Sequence, residues 1–301
     1  MKIKRLFSVL FTAAFLCQVS AAMAQETMQA KKMPTPRPPV YGIPAKTLPK
    51  GLWIIRGYWI HPFFDKKLNT HTGEMISLPD NMTFSSNTAI AKVRYGITSK
   101  LTAILNVPFV NKKMTLPDVT KTGTGVGDIV GALLWKFHHN KEKKFLTSLL
   151  FYTKSPVGKS YNLAADELPL GTGSFDAGLA FLPEKEFGRF DMRLSAFYIM
   201  RGKNKSDINL GDMTLFSWST AYNAGRNFIM EGSLVYKTSG NNKHNGVVMD
   251  GTNTYQFQFI PGAQYRIAQT FLVQVAFPVT LTSKMSFDST IGSWVGLYCL
   301  F

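Results

Sequence analysis

From Gly51 onward, apolar residues recur at every second position through one run after another. In residues 189–201, Phe190, Met192, Leu194, Ala196, Tyr198 and Met200 share one face of an extended segment, while Asp191, Arg193, Ser195, Phe197, Ile199 and Arg201 share the other. A period of two is the mark of a β-strand with one apolar and one polar face. A slip of one residue would exchange the faces and put charges into the apolar surroundings, so the register is strongly specified. The same split sets Tyr255, Phe257, Phe259, Ala263 and Tyr265 against Gln256, Gln258, Gln264 and Arg266. Phe271, Val273, Val275, Phe277, Val279 and Leu281 likewise oppose Gln274, Thr280 and Thr282, and Ile129, Leu133, Trp135 and Phe137 oppose Asp128 and Lys136.

Such runs predict about twelve strands, over 51–61, 83–96, 101–112, 125–138, 144–155, 172–183, 189–201, 211–223, 227–239, 253–266, 271–282 and 290–301. Most are near the roughly 9–11 residues that cross a bilayer at a tilt. The connections at 97–100, 139–143, 184–188, 224–226 and 267–270 are short; those at 62–82, 113–124, 156–171, 202–210, 240–252 and 283–289 are mostly longer. Short turns on one side and long loops on the other belong to barrels inserted from the periplasm. The predicted fold is therefore all-β: a transmembrane antiparallel up-and-down β-barrel over 51–301, closed by a C-terminal strand that ends at Phe301. A soluble sandwich alternates too, but it has no use for so many aromatics on its apolar face.

Both ends of the chain fit this expectation. Lys2, Lys4 and Arg5 precede an apolar run, Leu6 to Leu16, and small residues lead to Ala22-Met23-Ala24. That is the layout of a secretory signal peptide over 1–24, with cleavage expected after Ala24. The apolar run is shorter than the roughly 20 residues of a spanning helix, and Leu16 is the wrong neighbour for lipid attachment at Cys17. Residues 25–50 read as a periplasmic tail: Met33-Pro34-Thr35-Pro36-Arg37-Pro38-Pro39 forms neither ladder nor helix and favours polyproline geometry. In the last strand, Ile291, Val295, Leu297, Cys299 and Phe301 alternate with Gly292, Trp294, Gly296, Tyr298 and Leu300. It resembles the assembly signal of bacterial outer-membrane barrels, polar–Gly–x–x–apolar–x–apolar. Gly296, Cys299 and Phe301 fit, while Val295 stands where a polar residue is usual. This implies recognition by the barrel-assembly machinery and residence among the lipids of a Gram-negative outer membrane.

Composition narrows the choices. The chain is 45% hydrophobic, yet nothing after the signal approaches a helical span. Phe (23) and Tyr (11) suit aromatic girdles on a lipid-facing surface. Once the signal is removed, Cys299 is the lone cysteine, so no intramolecular disulfide forms. The formal charge of +16 is spread over strands and loops rather than gathered on one element. That argues against nucleic acid and for anionic headgroups or an anionic solute.

Gly123-Thr124-Gly125-Val126-Gly127-Asp128, ahead of an alternating strand, resembles the Gly-x-Gly-Asp signature of the outer-membrane transporter family named for the meta-cleavage pathway of phenol degradation. Tyr95-Gly96-Ile97-Thr98, the strand through Pro108, Lys154-Ser155-Pro156-Val157-Gly158, and Gly171-Thr172-Gly173-Ser174 with Asp176 are similar to that family in order along the chain. Ser155 departs from it, standing where a threonine is expected. The resemblance implies a barrel that carries small hydrophobic or aromatic compounds across the outer membrane. A phosphate-cradling reading of the glycines fails, because such loops open a helix and here a strand follows. Glycines at a barrel rim instead permit bends, bulges or close packing.

Function must reside on the inward face. The register places Arg56, Lys92, Arg94, Lys136, Lys154, Arg193, Arg201, Lys237 and Arg266 there, opposed by Asp128, Asp176, Asp191 and Glu231, with Phe197, Trp294 and Tyr298 as aromatic lining. These residues make either a selectivity lining or a paired network that plugs a narrow barrel. No cofactor or metal is expected: His138 and His139, consecutive in a strand, point to opposite faces. A rim hydrolase would need a nucleophile–base pair, and His61, His71, His138, His139 and His244 lie beside no recognisable nucleophile. The leading expectation is a passive, non-enzymatic channel for small hydrophobic or aromatic solutes. The alternative is a structural or adhesion barrel with a plugged lumen and partner-binding loops.

Overall fold

The computed structural model describes residues 39, 42–69, 73–225, 227–268 and 270–301. The expected signal peptide and most of the proline-rich segment lie outside these residues. The described chain forms a closed barrel of twelve antiparallel strands. They are β1 (Trp53–Leu68), β2 (Thr83–Thr98), β3 (Leu101–Thr115), β4 (Thr120–Val126 continued by Ile129–Asn140), β5 (Phe145–Ser155), β6 (Asp176–Phe187), β7 (Phe190–Arg201), β8 (Met213–Asn223), β9 (Phe228–Ser239), β10 (Thr254–Arg266), β11 (Phe271–Ala276 continued by Val279–Lys284) and β12 (Phe287–Leu300). Each pairs with the next, and β1 closes on β12 from Ile54↔Leu300 to Lys67↔Phe287. Closure removes the exposed edges that an open sheet would leave unpaired. Backbone bonds between Trp53 and Phe301 finish the seam at the end where β1 begins and β12 ends.

Alternation decides what faces out. Phe109, Phe181, Leu194, Trp218 and Tyr265 stand exposed on the outer wall, while their chain neighbours point inward. Ring pairs such as Trp135–Phe137 and Phe190–Tyr222 lie at the end with the short turns. An apolar band edged by aromatics is the surface a bilayer demands.

The structure corrects several boundaries. β1 runs seven residues past its predicted end, through Pro62, because bulges beside Phe63 and Phe64 absorb the break in alternation at Phe63-Phe64-Asp65. β3 and β4 likewise reach into the expected loop, leaving 116–119 between them. The last strand starts at Phe287, so only 285–286 separate it from β11. β4 is interrupted at Gly127-Asp128, and β11 at Phe277-Pro278, where proline has no N–H for the ladder. A bulge opposite Phe257 and Gln258 then pairs Thr282 with Phe257. Thr282 thus sits on the outer face, in an apolar groove with Tyr236, Tyr255 and Phe257, and not in the lumen as the alternation implied.

The proline-rich segment differs most from expectation. Its described part, 39 and 42–50, is no free tail: Ala45 and Leu48 are buried against the barrel's interior. Nothing periodic in the segment announces this. Its partners are scattered over strands far away in sequence.

Candidate functional site

The site is the barrel interior, and the inserted segment, residues 43–49, crosses its periplasmic mouth. Pro44 and Pro49 keep the backbone extended, and polar wall groups bond it. Ser148 Oγ donates to Ala45 O at 2.6 Å, Arg94 Nη2 to Lys46 O at 2.9 Å, and Leu48 N to Thr102 Oγ1 at 2.8 Å. Upstream, Gln274 Nε2 donates to Pro39 O at 3.3 Å. Ala45 seats in an apolar cluster with Ile104, Leu134, Leu150, Leu182, Phe197 and Ile199; Leu48 packs on Ile54, Leu272, Tyr298 and Leu300. The segment therefore spans between opposite walls.

Its one charged residue is the anchor. Lys46 Nζ lies 2.8 Å from Glu184 Oε1, 2.5 Å from Glu186 Oε1 and 3.5 Å from Asp191 Oδ2. Burial works against the ammonium charge, but Glu184, Asp191 and Glu186 outweigh it and hold Lys46 above the ordinary lysine range. Arg193 extends the network, 3.3 Å from Asp191, 3.8 Å from Glu184 and 3.0 Å from Glu231. The register brings Asp191, Arg193 and Glu231 together as expected of inward neighbours. Lys46, Glu184 and Glu186 escape a sequence reading. Pro183 interrupts the alternation, so 184–188 look like a turn, whereas Leu182, Glu184 and Glu186 continue the inward face of β6.

A second wall is cationic and aromatic. Arg56 on β1 stands between Lys92 on β2 and Tyr298 on β12 in the strand register. Its guanidinium lies 4.5 Å from the centre of the Tyr298 ring, and Nη1 donates to Tyr58 Oη at 2.9 Å. Arg94 follows Lys92 by two residues on the same face. Tyr58 and Trp294 stack at 4.9 Å, and Gly296 leaves room for the Tyr58 ring.

The extracellular end holds a polar knot. Lys154 Nζ lies 2.6 Å from Asp176 and 3.5 Å from Asp128, and bonds Thr172 Oγ1. Asp128 accepts from the backbone N–H of Gly158 at 3.1 Å and of Thr172 at 2.8 Å. The loop 156–175 is thereby folded back along β4, where Leu168 N bonds Thr122 O and Thr122 N bonds Asp166 O. The glycine motifs serve close approach. A Cβ at Gly123 would lie 2.4 Å from Leu168 O, and one at Gly171 would lie 2.0 Å from Asp128 Oδ1. Gly171→Ala should push the loop off Asp128, and limited proteolysis of intact cells should then cut the variant within 156–175 faster than the wild type.

The remaining inward residues sit nearer the ends. Lys136 is close to Lys100 and Lys141 at the periplasmic rim. Arg266 pairs in register with Leu272 at the same end. Arg201 Nη1 donates to Gly211 O at the loop end, and Lys237 lies opposite Gln256. The carboxylates Glu184, Glu186 and Asp191 lie close enough to hold a metal, but Lys46 occupies the place an ion would take. In the last strand, Cys299 is buried opposite Phe271.

Comparisons agree with this architecture. A family model described as "Putative MetA-pathway of phenol degradation" matches residues 66–286. The COG4313 outer membrane channel from Pseudomonas putida F1 superposes with a TM-score of 0.72 at 17% identity, covering 85% of this chain and 98% of that one. The β domain of the Bordetella autotransporter BrkA superposes at 0.52 and 8% identity, over 84% of this chain and 100% of that one. No curated protein matches in sequence. The shared fold is that of barrels in the Gram-negative outer membrane.

Proposed function

The chain belongs to the family described as "Putative MetA-pathway of phenol degradation", and from that premise we propose that it is a passive, non-enzymatic outer-membrane channel for small hydrophobic or aromatic solutes. The observation that carries this is the interior itself. A water-filled pore is lined by polar groups, whereas here Ile104, Leu134, Leu150, Leu182, Phe197 and Ile199 cluster inside, with the Tyr58–Trp294 stack on another part of the wall. Such surfaces take up the apolar part of a solute. Phe197, Trp294 and Tyr298 line the route in this reading. Glu184, Glu186 and Asp191 hold the inserted segment through Lys46, and Asp128 holds the loop. His61 pairs with Asn87 across β1 and β2. A leader over 1–24 and assembly through Gly296, Cys299 and Phe301 belong to the same proposal.

The filled interior also favours a second reading, a structural barrel with a permanently plugged lumen. Uptake separates the two. Outer-membrane vesicles carrying the protein should accumulate labelled benzyl alcohol faster than vesicles without it, and Phe197→Ala or Trp294→Ala should slow that gain. Sucrose should stay at background. Equal benzyl alcohol rates with and without the protein would leave only the structural barrel.

A further inference from the structure

We propose that Arg56, Lys92 and Arg94 form a binding site for the carboxylate of a small organic acid whose apolar part lies along Tyr58 and Trp294. The inference rests on the channel reading and gives it a substrate class. Inward positions on neighbouring strands bring the groups together: Asn106, Lys92, Arg56 and Tyr298 form one row across β3, β2, β1 and β12. Arg94 stands one inward position nearer the periplasm.

Buried cations normally find carboxylates, because an uncompensated charge away from water is costly. These do not. Glu184 and Asp191 are engaged by Lys46 and Arg193, and among the described residues no carboxylate forms an ion pair with Arg56, Lys92 or Arg94. Arg56 is 2% exposed and Arg94 3%. Arg56 Nε and Nη2, Arg94 Nε and the Tyr298 hydroxyl are buried with no hydrogen-bond partner in the protein.

Which atoms are open matters. Nη1 of Arg56 is committed to Tyr58 and Nη2 of Arg94 to Lys46 O. Nε and Nη2 of Arg56 remain, and they share one edge of the guanidinium. That edge presents two parallel N–H groups at the spacing of two carboxylate oxygens. A carboxylate there would sit beside Lys92 and within reach of the Tyr298 hydroxyl. Toward the extracellular side, the next inward residues on β1 and β12 are Tyr58 and then, past Gly296, Trp294, stacked at 4.9 Å. An acid entering from outside meets the aromatic surface with its apolar part and the cations with its head.

The test uses the full-length barrel in nanodiscs, with folding checked by heat-modifiable gel mobility, and titrates benzoate by calorimetry. Wild type should bind benzoate saturably. Lys92→Gln and Arg56→Gln should each weaken binding by about tenfold, the loss expected for one charge-assisted hydrogen bond. Lys92→Arg should bind like wild type, whereas Arg56→Lys, which keeps the charge but not the fork, should remain weak. Because Lys92 is not packed as deeply as Arg56, its variants keep the test decisive if Arg56→Gln does not fold. Benzoate binding that is absent, unchanged in Lys92→Gln, or matched by sulfate would overturn the site. Benzyl alcohol uptake without benzoate binding would overturn the site and leave the channel. Benzoate binding without benzyl alcohol uptake would support the site and overturn the channel reading.

Discussion

Replacing Arg193 by methionine should lower the stability of the barrel by about 3–5 kcal/mol, the usual cost of removing one partner from a buried ion pair. Arg193 is buried, and its guanidinium faces carboxylates from three strands: Glu184 of β6, Asp191 of β7 and Glu231 of β9. Methionine fills similar volume but supplies no charge. Glu231 then loses the guanidinium 3.0 Å away while it stays buried. Lys46 still covers Glu184 and Asp191, so the largest share of the loss should come from Glu231. Adding Glu231→Gln to Arg193→Met should accordingly recover part of it, because a neutral amide costs less to bury than a carboxylate that has lost its guanidinium. Urea unfolding of detergent-folded protein would show both effects. If the double variant is as unstable as the single one, the carboxylate is not the source of the loss.

This network shows where the sequence is legible and where it is not. Asp191 and Arg193 alternate with Met192 and Leu194, so period two alone places them inward, and the structure buries both charged residues. Such alternation reveals most of the barrel because each strand's two faces meet opposite solvents. It fails where backbone geometry absorbs an extra residue. The bulge beside Phe257 carries Thr282 to the lipid face, and those beside Phe63 and Phe64 conceal the upper half of β1. It also fails for contacts that have no period. Lys46 belongs to no strand, and Glu184 lies 138 residues further along the chain. Glu184 itself follows a proline that makes 184–188 look like a turn. The glycine motifs are intermediate: their rim position is legible, but the reason for Gly171, an Asp128 carboxylate pressed against its α-carbon, needs the folded loop.

Lys46→Glu should expel the inserted segment and raise single-channel conductance several-fold. The substitution sets a fourth carboxylate among Glu184, Glu186 and Asp191, at places now 2.5–3.5 Å from an ammonium. Attraction becomes repulsion in an interior that screens charge poorly. What remains to hold residues 43–49 is the burial of Ala45 and Leu48 and four hydrogen bonds, to Ser148, Arg94, Ser99 and Thr102. A neutral hydrogen bond contributes only about 0.5–1.5 kcal/mol net and one from a charged group such as Arg94 about 1.5–3 kcal/mol, which the like-charge cluster should outweigh. The freed segment should also become a protease target at Lys50 from the periplasmic side. Reversing the partner tests the cause: Lys46→Glu with Glu184→Lys restores one opposite-charge pair and should return conductance toward wild type. A Lys46→Glu barrel with wild-type conductance and an intact segment would show that packing alone seats the plug. The network would then be structural filler.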